Sequence, residues 1–506
     1  MLRGDWAFGP ACFLPLPKNP GCRIKMMKEE FTLSGELYPP QRRVWSVQFS
    51  EHQYILYVVD GVLVLVSLLL GLWLGAQRSD WVFSAQLALE YSPWFAAVAL
   101  CYFVLATAND AYRPRVASDP AASFFAIGKT VLQILALYLF IYALLPPWSL
   151  PRHFIGFFTL ISPLLLFSWR RVYSSVFVSA FQRRAIVVGA GWGGETIAKT
   201  LRDFAATHFK VLGFVDDDPA KQRAMVQNVP VIGPIAQLPV LAQRLNVTDI
   251  VLAINRELPG DVLATLMACH EQGIRISTMP ELYERLTDRV PVEHVGGNWF
   301  VMLPLNNNGQ NLTFRIFKRA SDILISLVGL LVFALLFPVI ALAVRLDSPG
   351  PIFYRQRRVG RGGREFELVK LRSMVTDAEK DGKAQWAEKY DTRVTRVGRF
   401  LRRTRLDELP QLLNVLRGEM SLIGPRPERP EFVGALEAEI PFYRTRLTVK
   451  PGLTGWAQVN YDYGRSVVDA LEKLRYDLYY IKHQSVRLDL IILLKTINTI
   501  LMLKGV

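Results

Sequence analysis

Apolar runs long enough to cross a bilayer constrain this chain more than any other feature. Four come early, at about 54–76, 91–108, 121–146 and 154–169. An α-helix rises about 1.5 Å per residue, so roughly 20 apolar residues cross a hydrocarbon core of about 30 Å; the fourth run is short for that purpose. Arg42 and Arg43 precede the first run, Arg113 and Arg115 lie between the second and third, and Arg170, Arg171, Arg183 and Arg184 follow the fourth. Cytoplasmic loops carry the excess of Lys and Arg, so both ends of a four-helix transmembrane bundle over 51–172 are expected on the cytoplasmic side. A fifth run, ILISLVGLLVFALLFPVIALAV at 323–344, follows far downstream, with Lys318 and Arg319 before it and Arg345, Arg355, Arg357, Arg358, Arg361 and Arg364 after it. Pro338 inside it removes a helix hydrogen bond and clashes with the preceding turn, so a kink is expected there. Charge and kink together suit a re-entrant helix at about 318–344 that dips in and returns; a simple fifth span is the alternative.

At 506 residues the chain exceeds one hydrophobic core. Its 51% hydrophobic content and mean hydropathy of +0.21 are too apolar for an ordinary soluble protein, while its 20% of charged residues are too many for a pure transporter bundle. A net charge of +15 points to lipid headgroups and phosphates. Alongside the membrane runs, it does not call for nucleic acid as a partner. Cys12, Cys22, Cys101 and Cys269 are scattered, without the spacing of a zinc site or disulfide framework, which suits a reducing cytoplasmic setting. Residues 1–50 lack the apolar core of a signal peptide, are rich in Pro and Gly, and read as a disordered leader. Met26 and Met27 leave the true start open.

Over 183–300 the pattern changes to β-branched runs (AIVVGAG, VLGFVDDD, DIVLAI, IRISTMP) separated by helix-length segments, the signature of a Rossmann-like α/β domain. The first strand enters Gly189, Gly191 and Gly194, a G-x-G-x-x-G turn that could bring backbone N–H groups to a pyrophosphate, and Asp216 ends the next strand, where it could accept from a ribose. The plainer alternative is that these glycines only allow tight strand–helix packing. A linker at 301–313 contains the polar run NNNGQN, and a new unit occupies 314–506.

In that unit Asp407 and Glu408 stand among Arg399, Arg402, Arg403 and Arg405. Such neighbours would hold a carboxylate ionised, as a nucleophile or magnesium ligand requires. Adjacent helical residues point about 100° apart, so the two carboxylates should play different roles. From spacing alone, Asp407 reads more simply as the cap of the helix that follows.

Five segments in order decide otherwise: KRASD at 318–322, GPIFYRQRRVGRGG at 350–363, KLRSM at 370–374, TRLDELPQLLNVLRGEMSLIGPRP at 404–427 and KPGLTGWAQVN at 450–460. With these, the chain resembles the long-form monotopic phosphoglycosyl transferases, polyprenyl-phosphate hexose-1-phosphate transferases of the exopolysaccharide biosynthesis family. The resemblance implies a four-helix transmembrane bundle, a Rossmann-like module and a mainly α monotopic catalytic domain with a re-entrant helix, on the cytoplasmic face of the bacterial inner membrane. It implies that Asp407 attacks a UDP-sugar, expels UMP and passes a hexose-1-phosphate to undecaprenyl phosphate. It implies Mg2+ as cofactor, with Glu408 holding it or activating the lipid phosphate, and Arg402, Arg372, Lys370 and Arg426 as phosphate-binding positions. The family breaks its membrane helix at Ser-Pro, whereas Phe337 precedes Pro338 here. Because these parts all lie within 314–506, a chain starting near 312 is expected to retain transfer.

Two other readings compete. A membrane-bound nucleotide-sugar dehydratase would need a Tyr-x-x-x-Lys pair, which the sequence lacks, and a nucleotide-sensing scaffold would not need the dyad. The hexose, the ligand of the Rossmann-like module and the choice between monomer and homodimer are left open. The C-terminal run RLDLIILLKTINTILMLKGV could lie in the membrane interface or pack as a core helix.

Overall fold

The computed structural model describes residues 49–78, 82–144, 152–177, 182–254, 258–292, 312–376, 391–461 and 466–501. The leader up to residue 48 and the linker up to residue 311 lie outside the described residues.

The early apolar runs form helices α1 (Phe49–Arg78), α2 (Ser92–Ala108), α3 (Pro120–Leu144) and α4 (Arg152–Val172). Three stretches of this bundle are long and apolar enough to cross a membrane, Tyr54–Arg78, Pro120–Ala143 and Phe154–Val176, and Leu312–Asp347 is the fourth among the described residues. The run that looked short in sequence therefore continues past its arginines, and α2 is the shorter helix. Leu56, Val64, Leu68, Tyr102, Ile127, Phe154 and Phe158 fill the bundle core.

One ion pair is wholly enclosed there: Arg170 donates to Asp60 Oδ2 at 2.7 Å, and the Tyr102 hydroxyl donates to the same oxygen at 3.2 Å. The pair fixes the register of α1 against α4. Removing one partner strands a buried charge, so Asp60→Ala should lower stability by about 3–5 kcal/mol. Thermal unfolding in detergent checks this, and an unchanged melting temperature would make the pair a bystander.

The α/β module is a six-stranded sheet in the order β3-β4-β2-β1-β5-β6. Its strands are β1 (Arg183–Val188), β2 (Phe209–Val215), β3 (Met225–Val226), β4 (Val229–Gly233), β5 (Asp249–Leu252) and β6 (Arg275–Thr278). All pair in parallel except β3, which turns back on β4. The sequence pattern anticipated β1, β2, β5 and β6. The β3–β4 hairpin was hidden because Pro230 interrupts it, but Gln227 and Asn228 both take positive φ, the geometry of a two-residue hairpin turn. Helices α5 (Trp192–Ala205), α6 (Leu238–Arg244), α7 (Gly260–Glu271) and α8 (Met279–Thr287) cover the sheet, which has a separate apolar layer on each face. Because β2 and β5 flank β1, the glycine turn after β1 lies where the strand order reverses.

The C-terminal unit begins with α9 (Leu312–Asp347), a single helix that runs past Pro338 although that residue donates no backbone hydrogen bond. The antiparallel hairpin β7 (Phe353–Val359) and β8 (Glu365–Leu371) follows. Then come α10 (Arg396–Thr404), a 3₁₀ turn (Leu406–Gln411), α11 (Leu412–Arg417), β9 (Ser421–Ile423), α12 (Pro430–Glu439), β10 (Gly452–Thr454), α13 (Val467–Lys482) and α14 (Val486–Leu501). Of the two readings of the C-terminal run, packing is observed: Leu488 and Ile492 enter the unit's core, and Lys495 bonds Asp110 of the bundle at 2.9 Å. Val290 and Val292, upstream of the linker, also pack into this unit, against Val359, Val433, Leu436, Leu474 and Leu478.

Candidate active site

Close packing places the charged groups. A Cβ on Gly398 would sit 2.1 Å from the Ser373 carbonyl oxygen, so only glycine lets α10 approach the strand end so closely. One turn later Arg402 Nε donates to Ser373 Oγ at 2.9 Å. Arg405 then adopts a left-handed backbone (φ 58°) that ends α10 and starts the 3₁₀ turn carrying the dyad. Asn414, fully buried in α11, donates to the Glu367 carbonyl at 2.8 Å and ties this region to β8, on which Lys370 stands opposite Tyr354.

Asp407 and Glu408 are both buried, and Asp407 Oδ1 has no hydrogen-bond partner among the described residues. Asp407 is not a helix cap: Arg405 occupies the cap position of its turn, and α11 starts after Gln411. Glu408 Oε1 accepts from Arg426 at 2.7 Å and from Arg405 at 3.5 Å. Burial, then the charge of Glu408, push the Asp407 carboxyl up to about 6 against Lys370, Arg402 and Arg405. Burial also opposes charge on Glu408, yet Arg426 and Arg405 outweigh it and hold that carboxyl down at about 2. Burial, then Arg358, bring the Lys370 ammonium down to about 8. Two adjacent carboxyls are thus driven apart, which separates their chemical roles.

The structure gathers Lys370, Arg402, Arg405 and Arg426 around the dyad. Arg399 and Arg403 are exposed on the outer face of α10 instead. Arg372 is turned away as well, donating to the carbonyls of Pro349 (2.7 Å), Ser348 (2.6 Å) and Val344 (3.2 Å), where it closes the end of α9. Sequence reasoning counted Arg358 only as flanking charge. It faces Lys370, and the signal was its period-two spacing with Tyr354 and Gln356 on β7.

In the α/β module, a Cβ on Gly194 would meet the Gly189 carbonyl oxygen at 2.0 Å, so that glycine serves strand–helix packing, while the space at Gly191 is open. Asp216 accepts from the N–H groups of Ala190 (2.7 Å) and Asp218 (2.9 Å) and from Lys221 (3.3 Å). It buttresses the glycine turn.

Residues 313–503 match the family described as bacterial sugar transferase, and residues 107–280 match that described as CoA-binding domain. The chain is 42% identical over 246 residues to the UDP-N-acetylgalactosamine-undecaprenyl-phosphate N-acetylgalactosaminephosphotransferase of Aeromonas hydrophila, covering 48% of this chain and 56% of that one. It is 35% identical over 279 residues to the UDP-glucose:undecaprenyl-phosphate glucose-1-phosphate transferase of Xanthomonas campestris pv. campestris, covering 55% and 57%. It is 31% identical over 342 residues to the UDP-galactose-lipid carrier transferase of Erwinia amylovora, covering 64% and 69%. The chain belongs to the bacterial sugar transferase family. Its match spans a little over half the length of the first two relatives.

Proposed function

We propose that this protein transfers a hexose-1-phosphate from a UDP-sugar to undecaprenyl phosphate through a covalent aspartyl-phosphosugar, at the cytoplasmic face of the bacterial inner membrane. The observation that carries the reading is Asp407 Oδ1, a buried carboxylate oxygen in a nest of cations, without a hydrogen-bond partner among the described residues. In the first displacement that carboxylate attacks the β-phosphorus of the UDP-sugar; a new P–O bond forms, the bridging P–O bond breaks, and UMP leaves with the bridging oxygen. In the second, an oxygen of undecaprenyl phosphate attacks the same phosphorus, forming a lipid diphosphosugar and restoring the Asp407 carboxylate. Lys370, Arg402, Arg405 and Arg426 face the phosphoryl charge throughout. Glu408, with a carboxyl near 2, is a poor base, and the lipid phosphate is already anionic. Glu408 therefore fixes Arg426 and Arg405 or ligates metal.

The donor set fits magnesium, which takes one or two carboxylates and completes its shell with substrate phosphates and water. Asp407 and Glu408 are the adjacent buried carboxylates that would hold it. When bound, it offsets charge on the phosphoryl oxygens.

Support for a re-entrant α9 comes from its contact stripe. Asp322 accepts from Leu422 N and Ser421 Oγ, Gly329 abuts Leu412, Phe333 joins Leu371 and Leu401, Phe337 stacks on Phe353, and Arg372 holds Val344. The catalytic unit thus accompanies the helix along its length, and a perpendicular span would drag that unit's charges into hydrocarbon. The opposite face, including Leu324, Leu331, Leu335 and Val339, is exposed and apolar. Cysteines placed at Arg319 and Arg364 should both be labelled from the cytoplasmic side alone; periplasmic labelling at 364 would contradict the insertion.

The direct test is incubation with labelled UDP-sugars, magnesium and undecaprenyl phosphate, followed by organic extraction. Lipid-soluble label is expected with one member of a sugar panel; an altered nucleotide sugar, or no product, would overturn the reading. The kcat/KM profile should be bell-shaped. It falls as pH drops through about 6, where Asp407 takes up a proton, and falls again above about 8, where Lys370 loses its charge. A profile flat across both regions would remove these groups from the free-enzyme chemistry.

A further inference from the structure

At the tip of the β7–β8 hairpin lies a cavity of about 580 Å³, in which Arg361, Arg364, Arg417 and Lys450 face Glu365 and Glu419. Glu419 is occupied, accepting from Asn414 Nδ2 at 2.7 Å, and Glu365 reaches Arg357 only at 3.9 Å. Among the described residues none of the four cations pairs with a carboxylate. Arg361 is tethered through Nε to the Thr448 carbonyl at 3.1 Å. Gly418, in the left-handed region (φ 84°), keeps the floor open: a Cβ there would lie 3.5 Å from Lys450 Nζ and 3.8 Å from the Arg319 guanidinium. Arg315 and Arg319, in the first turns of α9, add to the positive charge that Lys450 meets.

This cavity is separate from the dyad. None of its four cations is among the leading groups that shift Asp407 or Glu408, and Glu365 stands about 17 Å from Lys370 along β8, at about 3.4 Å per residue. Its edge is the beginning of α9, where Leu312, Ile316 and Phe317 are exposed beside Arg315. A basic hollow bordered by an exposed apolar helix face matches a molecule with a phosphate head and hydrocarbon tails.

We propose that this cavity binds the headgroup of an anionic glycerophospholipid, with its acyl chains along the first turns of α9. The proposal rests on α9 lying in the membrane, not on the chemistry at Asp407. The four cations outnumber the two carboxylates of the lining, and burial together with Arg319 lowers the pKa of Lys450 against the opposing charge of Asp322. A phosphodiester relieves that crowding without entering the catalytic nest.

The test is native mass spectrometry of the full-length protein with added phosphatidylglycerol or phosphatidylcholine. The triple variant Arg364→Gln, Arg417→Gln, Lys450→Gln should bind phosphatidylglycerol at least about ten-fold more weakly than the unmodified protein. A control losing three charges elsewhere, Arg355→Gln, Arg399→Gln, Arg403→Gln, should stay within about two-fold. The single variant Arg417→Gln, at an exposed position, should weaken binding by about three-fold and guards against misfolding of the triple variant. Equal loss in triple variant and control, equal retention of phosphatidylcholine, or displacement of phosphatidylglycerol by millimolar inorganic phosphate or UDP would each overturn the proposal. The last result would make the cavity a site for soluble anions. Transfer could still be found intact in every case, so this proposal and the catalytic one fail separately.

Discussion

Asp407→Asn should lower transfer by about 10⁴-fold or more while the protein remains folded, because the amide fills the same space but offers no anionic oxygen to phosphorus. The variant carries a second signature. Asp407 is buried beside Glu408, and its carboxyl is raised to about 6 in the folded protein from a reference of 3.8. A raised pKa means that ionisation costs stability: the folded state loses it as pH rises from about 4 through about 6, and remains without it at neutral pH. Asn removes that cost, so the inactive variant should melt at the same or a higher temperature at pH 7, with any gain vanishing below about pH 4. Glu408→Gln should behave in the opposite sense. It replaces the anionic acceptor that Arg426 and Arg405 share with a neutral amide, so activity and stability fall together. Near-normal turnover by Asp407→Asn would return Asp407 to a structural role.

A chain cut at 312 should be severely destabilised, whereas one beginning at 288 should unfold close to the intact catalytic unit. The shorter piece loses Val290 and Val292 from the core shared with Leu436, Leu474 and Leu478. It also loses the Asp288 carbonyl that accepts from Trp456 Nε1 (3.1 Å) and the Asp288 carboxylate that accepts from Tyr479 (3.1 Å). Two buried valines at about 1.5–3 kcal/mol each, with two hydrogen bonds at about 1 kcal/mol each, amount to about 5 kcal/mol or more. That is comparable to the whole stability of many domains. Unfolding of both pieces in nanodiscs, alongside transfer assays, measures the difference. Equal melting would show that the upstream strap is dispensable, as the sequence motifs alone had suggested.

The parts legible in the sequence are those carried by periodicity or by dense local motifs. Apolar runs gave the membrane helices, β-branched runs gave four strands of the α/β sheet, and the Asp-Glu dyad stood out among arginines. What was not legible depends on long-range packing. Arg372 and Arg402 look equivalent as basic positions, yet one closes α9 and the other joins the nest, because Ser373 Oγ and the Val344, Ser348 and Pro349 carbonyls compete for them only in the folded chain. Neighbouring arginines suggested that Asp407 would be held firmly ionised; burial and Glu408 reverse the direction. Asp216 looked ready for a ribose, but its oxygens are engaged by Ala190, Asp218 and Lys221. No local spacing reveals that a segment before a linker, Val290–Val292, completes the core beyond it.

Intact-protein mass spectrometry after incubation with magnesium and the accepted UDP-sugar, in the absence of undecaprenyl phosphate, tests the covalent route most directly. The account predicts an added hexose phosphate on the unmodified protein, located at Asp407 by peptide mapping, with one equivalent of UMP released per protein and no adduct in Asp407→Asn. Adding undecaprenyl phosphate should discharge the adduct into the lipid fraction. UMP release that requires undecaprenyl phosphate from the outset, with no adduct at any time, would contradict a two-step displacement and leave direct transfer in its place.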